Sequence, residues 1–110
     1  MNKYRNIKTQ YRGIKFDSRK EMMRYIELES LQNRGKIWGL KTQVKLSVDV
    51  NGSHICNLIV DFFYNEPDHT EHYEDVKAFD ERTKKFLTTP VFNLKRKLVE
   101  AIYNIKIELI

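Results

Sequence analysis

The run Leu58-Ile-Val-Asp-Phe-Phe-Tyr64 is apolar at both alternating sets of positions except at Asp61. A strand sends successive side chains to opposite faces, so a run apolar on both predicts a central strand, over 55–64, covered on both sides. Just before it, Val44, Leu46, Val48 and Val50 alternate with polar partners from Thr42 onwards, the pattern of a half-buried strand. Asn51-Gly52 between the two runs is a strong hairpin signal. The exception at Asp61 needs a reason. An ionised carboxylate in such a strand loses hydration, and something must compensate it.

The remaining elements follow from local signals. Ser18-Arg-Lys-Glu21 matches a capping box, predicting a helix from Ser18 to about Asn33 that Gly35 ends. Tyr11 to Phe16 reads as a short extended piece leading into it. Pro67 and its polar neighbours mark a turn, followed by a third strand over about 71–79. Thr89-Pro90 supplies an N-cap and a favourable first helical residue for a helix to about Tyr103. Ile105, Ile107 and Leu109 alternate with Lys106 and Glu108, giving a last strand. The expected fold is α+β, in the order α-β-β-β-α-β, with a mixed central sheet flanked by helices.

The 110 residues fit one domain, 1–110, with 1–10 expected as a flexible basic arm. The single cysteine, Cys56, excludes an internal disulfide and sits in an apolar run as a small hydrophobe, which suits a reducing compartment. No apolar stretch approaches the ~18 residues of a membrane span, and MNKYRNIKTQ lacks a signal-peptide core, so a cytoplasmic protein without a membrane partner is expected.

The net charge is +5, and it is segregated by sign. Residues 1–20 carry Lys3, Arg5, Lys8, Arg12, Lys15, Arg19 and Lys20 against Asp17 alone; residues 82–97 carry Arg82, Lys84, Lys85, Lys95, Arg96 and Lys97 with no acid. Between them stand Glu66, Asp68, Glu71, Glu74 and Asp75. Basic flanks suit a polyanion, whose condensed counterions they release, whereas an acidic centre repels it. Divalent cations on the acidic centre reconcile the two. An ordinary solvated surface is the competing explanation of each run taken alone.

Two residues apart on a strand, Asp75 and Lys77 share a face, about 6 to 7 Å apart along the chain, while Glu74 and Val76 face the other way. If the second and third strands are neighbours, Asp61 meets them. Two carboxylates, with the Val76 carbonyl as a third oxygen, suit Mg²⁺ or Mn²⁺, and Lys77 suits the positioning of water or the added charge of a phosphoryl transition state. The plainer alternatives are a cross-strand charge pair for Asp75 and Lys77 and a strand-end aspartate satisfied by backbone amides for Asp61. Glu21 has two open readings, a helix-capping carboxylate or an inward-facing ligand on a stripe with Tyr25 and Leu28. Lys95 falls within the apolar arc of the last helix, either snorkelling or reaching the acidic site. His69 and His72 make only half a zinc site and read as loop residues. Trp38 reads as packing, or as a surface on which a base stacks.

Taken together, Phe16-Asp-Ser-Arg-Lys-Glu21, Gln43, Val60-Asp-Phe62, Glu74-Asp-Val-Lys77 and Phe92-Asn-Leu-Lys-Arg-Lys-Leu98 resemble the PD-(D/E)XK nuclease superfamily. Within it the chain is similar to small phage- and prophage-encoded proteins related to Holliday junction resolvases. The resemblance, over about 11–110, implies a restriction-endonuclease-like core, Asp61 and Asp75 as metal ligands, Lys77 as the catalytic lysine and Glu21 as the acid of the first helix. The pattern departs in Val60, where a proline commonly stands, and in the adjacent acids Glu74 and Asp75, of which Asp75 shares a face with Lys77.

The expected activity is thus a Mg²⁺- or Mn²⁺-dependent DNA endonuclease in the bacterial host cytoplasm. Branched DNA such as four-way junctions, and a homodimer to cut them twice, are implied by the resemblance alone. Candidate DNA contacts are Arg12, Lys15, Arg19, Gln43, Lys84, Lys85, Lys95 and Arg96. The alternatives are a DNA-binding protein of the same fold without cleavage and a phage protein that binds a host protein.

Overall fold

The computed structural model of the chain describes residues 9–110. The basic arm expected over 1–10 lies outside this range except for Thr9 and Gln10, which belong to a strand, β1 (Thr9–Tyr11). It pairs with β2 (Ile14–Phe16) around Arg12-Gly13, both at positive φ, in the manner of a two-residue hairpin turn. The first helix, α1 (Arg19–Asn33), is capped as expected: the Ser18 hydroxyl accepts the Glu21 N–H. Arg34 and Gly35, the latter at φ 74°, end it.

The main sheet has the order β3 (Trp38–Val50), β4 (Ser53–Asn65), β5 (Glu71–Asp75), β8 (Ile107–Leu109). Its long hairpin joins β3 (Trp38–Val50) to β4 (Ser53–Asn65) through Asn51 and Gly52, at φ 50° and 79°, a type I′ arrangement that favours this residue pair. Beside β4 lies antiparallel β5 (Glu71–Asp75). A small hairpin follows, formed by β6 (Phe79–Asp80) and β7 (Lys85–Phe86). Thr89 caps α2 (Pro90–Tyr103), and β8 (Ile107–Leu109) returns parallel to β5. The fold is α+β, with a mixed sheet flanked by two helices in the expected order. Among the described residues, no helix is long and apolar enough to cross a membrane.

Two apolar clusters hold the layers together. Leu46, Val48, Leu58 and Val60 of the hairpin pack with Val99 of α2 and with Ile107. Phe62 and Tyr64 pack with Leu28 of α1 and with Ile37. Asp61 stands where β4 passes from the first cluster to the second.

Several expectations change. β3 begins at Trp38 rather than Thr42, because Gly39 (φ 70°) lies within a register shift between Trp38 and Lys41 and Gln43 (φ 53°) interrupts the run again, hiding its period. A Cβ at Gly39 would meet Asn65 Nδ2 at 2.9 Å, so the irregularity is built into the packing. β4 is not covered on both sides: Ile55 and Ile59 are 57% and 52% exposed. The helices leave these positions open. β5 ends at Asp75 instead of continuing to 79, since the Val76 N–H turns to the Asp61 carboxylate at 2.8 Å instead of to a strand partner. The apolar arc of α2 is only partly used, for Phe92, Leu98 and Val99 face the core while Val91, Leu94 and Ile102 are exposed.

Candidate functional site

A cavity of about 630 Å³ opens where the start of α1, the middle of β3 and β4, the end of β5 and the start of α2 meet. Glu21, Gln43, Asp61, Asp75, Val76 and Lys77 all line it. The first turn of α1 delivers Glu21, β4 delivers Asp61, and the end of β5 delivers Asp75 and its successors.

Hydrogen bonds fix the group. The Asp61 N–H donates to Asp75 Oδ1 at 3.2 Å, and Asp61 Oδ2 accepts the Val76 N–H. Lys77 lies beyond the strand, its own N–H bonded to the Ile110 carbonyl, yet its ammonium reaches Asp75 Oδ2 at 3.0 Å and sits 4.0 Å from the centre of the Phe92 ring. Glu21 Oε1 accepts the Asp17 N–H, and Oε2 accepts the Gln43 amide at 3.1 Å. The same amide donates to Asp61 Oδ1 at 3.3 Å. Glu21 thus reaches back beyond the N-cap, to the Asp17 N–H rather than to that of Ser18 as a capping box would, and also faces the sheet acids.

Glu21 and Asp75 are each 4% exposed, and Asp61 is half-buried. Burial pushes both Glu21 and Asp75 up to about 7, and the neighbouring Asp61 charge adds to the rise in each; Lys77 pulls Asp75 back only in part. Four carboxylates, Asp17, Glu21, Asp61 and Asp75, line the cavity with two lysines, Lys20 and Lys77. Such a site is short of positive charge. In the folded chain these acids hold their protons more tightly than in the unfolded one, so the stability they contribute is complete below about pH 4 and is lost as pH rises through about 7. In EDTA, the thermal midpoint is therefore expected to fall between pH 5 and 8 through these two groups, and Mg²⁺ or Mn²⁺ at pH 8 is expected to restore it. Melting curves at fixed ionic strength check this, and a midpoint indifferent to both pH and cation would contradict it.

The donor set fits a hard divalent cation: its ionisable oxygens are all carboxylate, its acids outnumber its lysines, and among the described residues no thiolate or imidazole lines the cavity. Among the described residues, no three His, Cys, Asp or Glu side chains converge as a ready-made cage. The Asp61 oxygens are engaged by the Val76 N–H and the Gln43 amide.

Other expected residues lie elsewhere. Glu74 does not line the cavity: 1% exposed, it accepts two bonds from Arg24 of α1 and one from the Tyr64 hydroxyl. Lys95 is half-buried and does not line the cavity, which overturns its reach into the acidic site. Arg96 is held by Glu100 and the Ile107 carbonyl, and Arg12 by Glu29. Lys15, Arg19, Lys84 and Lys85 are exposed outside the cavity, with Lys84 paired to Glu81. His72 bonds Glu66 through one ring nitrogen and Glu108 through the other, and His69 lies edge-on to Trp38. Trp38 is 45% exposed, with its indole N–H donating to the Glu66 carbonyl.

The sequence reading missed Lys20 as a lining residue. Its ammonium donates to the Lys77 carbonyl at 2.7 Å, linking α1 to the chain after β5. One signal was available, its place beside Glu21 in the first helical turn.

No curated protein and no solved structure matches the chain. A family model described as "Protein of unknown function (DUF1064)" matches residues 1–110, and the chain therefore belongs to that family.

Proposed function

We propose that the chain is a divalent-cation-dependent nuclease that hydrolyses phosphodiester bonds of DNA. The observation that carries this reading is the meeting of Glu21, Asp61, Asp75 and Lys77 in one open cavity, delivered by three separate stretches of backbone. Glu21, Asp61 and Asp75 would hold Mg²⁺ or Mn²⁺, with the Val76 carbonyl as a further oxygen. When bound, the cation polarises a phosphoryl oxygen and lowers the pKa of water.

The chain's own groups supply the rest. Lys77, anchored by Asp75 and by the Phe92 ring, presents a fixed positive charge to the phosphoryl group as it gains negative charge. Glu21, facing the sheet acids from the helix, would help to orient the attacking water. Lys20 places a second ammonium at the wall. Lys15, Arg19, Lys84 and Lys85 are exposed for contacts with the phosphate backbone. Action on branched DNA such as four-way junctions, pairing into a homodimer and a cytoplasmic setting in a phage-bearing bacterium extend the reading on the family resemblance.

The test is cutting of labelled linear duplex, single-stranded and four-way-junction DNA, with Mg²⁺ or with EDTA. Cleavage is expected with Mg²⁺ alone. Lys77→Ala should lower the initial rate about a hundredfold or more, the scale of removing one preorganised charge from a transition state. Equal cutting by wild type and variant would defeat the proposal. Tight binding without cutting would favour a DNA-binding protein of this fold instead.

A further inference from the structure

The backbone of β3 is in the left-handed region at Gln43, φ 53°, between the intact pairs Thr42–Phe62 and Val44–Val60. By this register Gln43 stands opposite Asp61. Glutamine is a poor choice for such a backbone; glycine, asparagine and aspartate adopt it more readily. The side chain is also exposed, so core burial does not explain its retention here. What it does instead is reach the acids, with its amide on Glu21 Oε2 and Asp61 Oδ1.

We propose that Gln43 is a positioning residue, whose amide holds the helix carboxylate Glu21 beside the sheet carboxylate Asp61 so that both face one cation position. This rests on the metal-dependent reading above and deepens it. The remaining oxygens of the pair are fixed by backbone amides, Glu21 Oε1 by Asp17 and Asp61 Oδ2 by Val76. Gln43 bridges the two half-clamped groups. An amide suits the task because it is a donor without charge. It draws two carboxylates together and leaves their negative charge for a cation, whereas a lysine or arginine at 43 would neutralise the site itself. Strain at a functional position is retained where it aims a side chain. Gln43, expected from the sequence as a DNA contact, spends its amide on the acids.

Two variants separate aim from backbone. Gln43→Asn keeps an amide and a residue suited to positive φ, but is one methylene shorter; Gln43→Gly removes the amide and relieves the backbone. Thermal midpoints in EDTA, Mn²⁺ affinity by calorimetric titration and DNA cutting are measured on wild type and both variants. Both variants should melt at or above the wild-type temperature in EDTA, yet bind Mn²⁺ about 10 to 100-fold more weakly, the usual loss when a group orienting a metal ligand is removed. Wild-type Mn²⁺ affinity in both variants would assign Gln43 to the strand irregularity alone and overturn the proposal. Tighter Mn²⁺ binding would show the amide to be a competitor of the cation, and would overturn it too. Should the wild type bind no Mn²⁺ at all, the metal-dependent reading itself fails; wild-type binding with indifferent variants sinks only the role of Gln43.

Discussion

Asp75→Asn is expected to lower metal-dependent cutting on the order of a thousandfold while making the metal-free protein more stable above pH 7. The two effects have one origin. Asp75 is buried and lies against Asp61, so its ionised form is disfavoured and its carboxyl is pushed up to about 7. Above that pH the folded chain carries a buried charge with only Lys77 to offset it. Asparagine removes the charge and keeps an oxygen that accepts the Asp61 N–H. On the proposed metal-dependent function, the site without that charge loses a ligand for the cation, and several kcal/mol of transition-state stabilisation correspond to about three powers of ten in rate. Initial cutting rates in Mg²⁺ and melting in EDTA at pH 8 read the two arms. A variant that cuts normally, or one that melts below wild type in EDTA at pH 8, would show that Asp75 serves the fold rather than the site.

What was legible in the sequence was local or anomalous. Ser18 with Glu21, Asn51-Gly52 and Thr89-Pro90 each specify a cap or turn within a few residues, and all three appear where expected. Asp61 showed itself as the one charged residue of an apolar strand, and the spacing of Asp75 and Lys77 put them together. The spacing argument reached the right contact through a wrong element, since Lys77 meets Asp75 from beyond the end of β5. Non-local pairings left no such mark. The acidic run over 65–75 looked like one patch, but tertiary structure divides it: Glu66 goes to His72, Glu74 to Arg24, and Asp75 to the cavity. Lys95 misled because a helical arc shows which side is apolar, not how much of it a small sheet covers. The β6–β7 hairpin, two residues per strand, is too short for periodicity to reveal.

Arg24→Ala is expected to cost about 3 to 5 kcal/mol of stability, the range for removing one partner of a buried ion pair. For a domain of this size that is a fall in melting temperature of roughly 10 to 20 °C. Arg24 grips Glu74 with two bonds, at 2.9 and 2.7 Å, and the Tyr64 hydroxyl supplies a third at 2.5 Å. Without the guanidinium, a carboxylate that is 1% exposed keeps only a phenol as donor. Replacing both charges, as Arg24→Met with Glu74→Met, should recover much of the loss, because no lone charge is then left inside. The double variant also bears on the site. The pair ties β5 to α1, the two elements that carry Asp75 and Glu21, and it occupies the acid adjacent to the one assigned to chemistry. If Glu74 is structural, the double variant cuts DNA at a rate within a few-fold of wild type at a temperature where both are folded. A loss as deep as that of Asp75→Asn would mean that the site acid is Glu74, and that the face chosen for Asp75 is the wrong one.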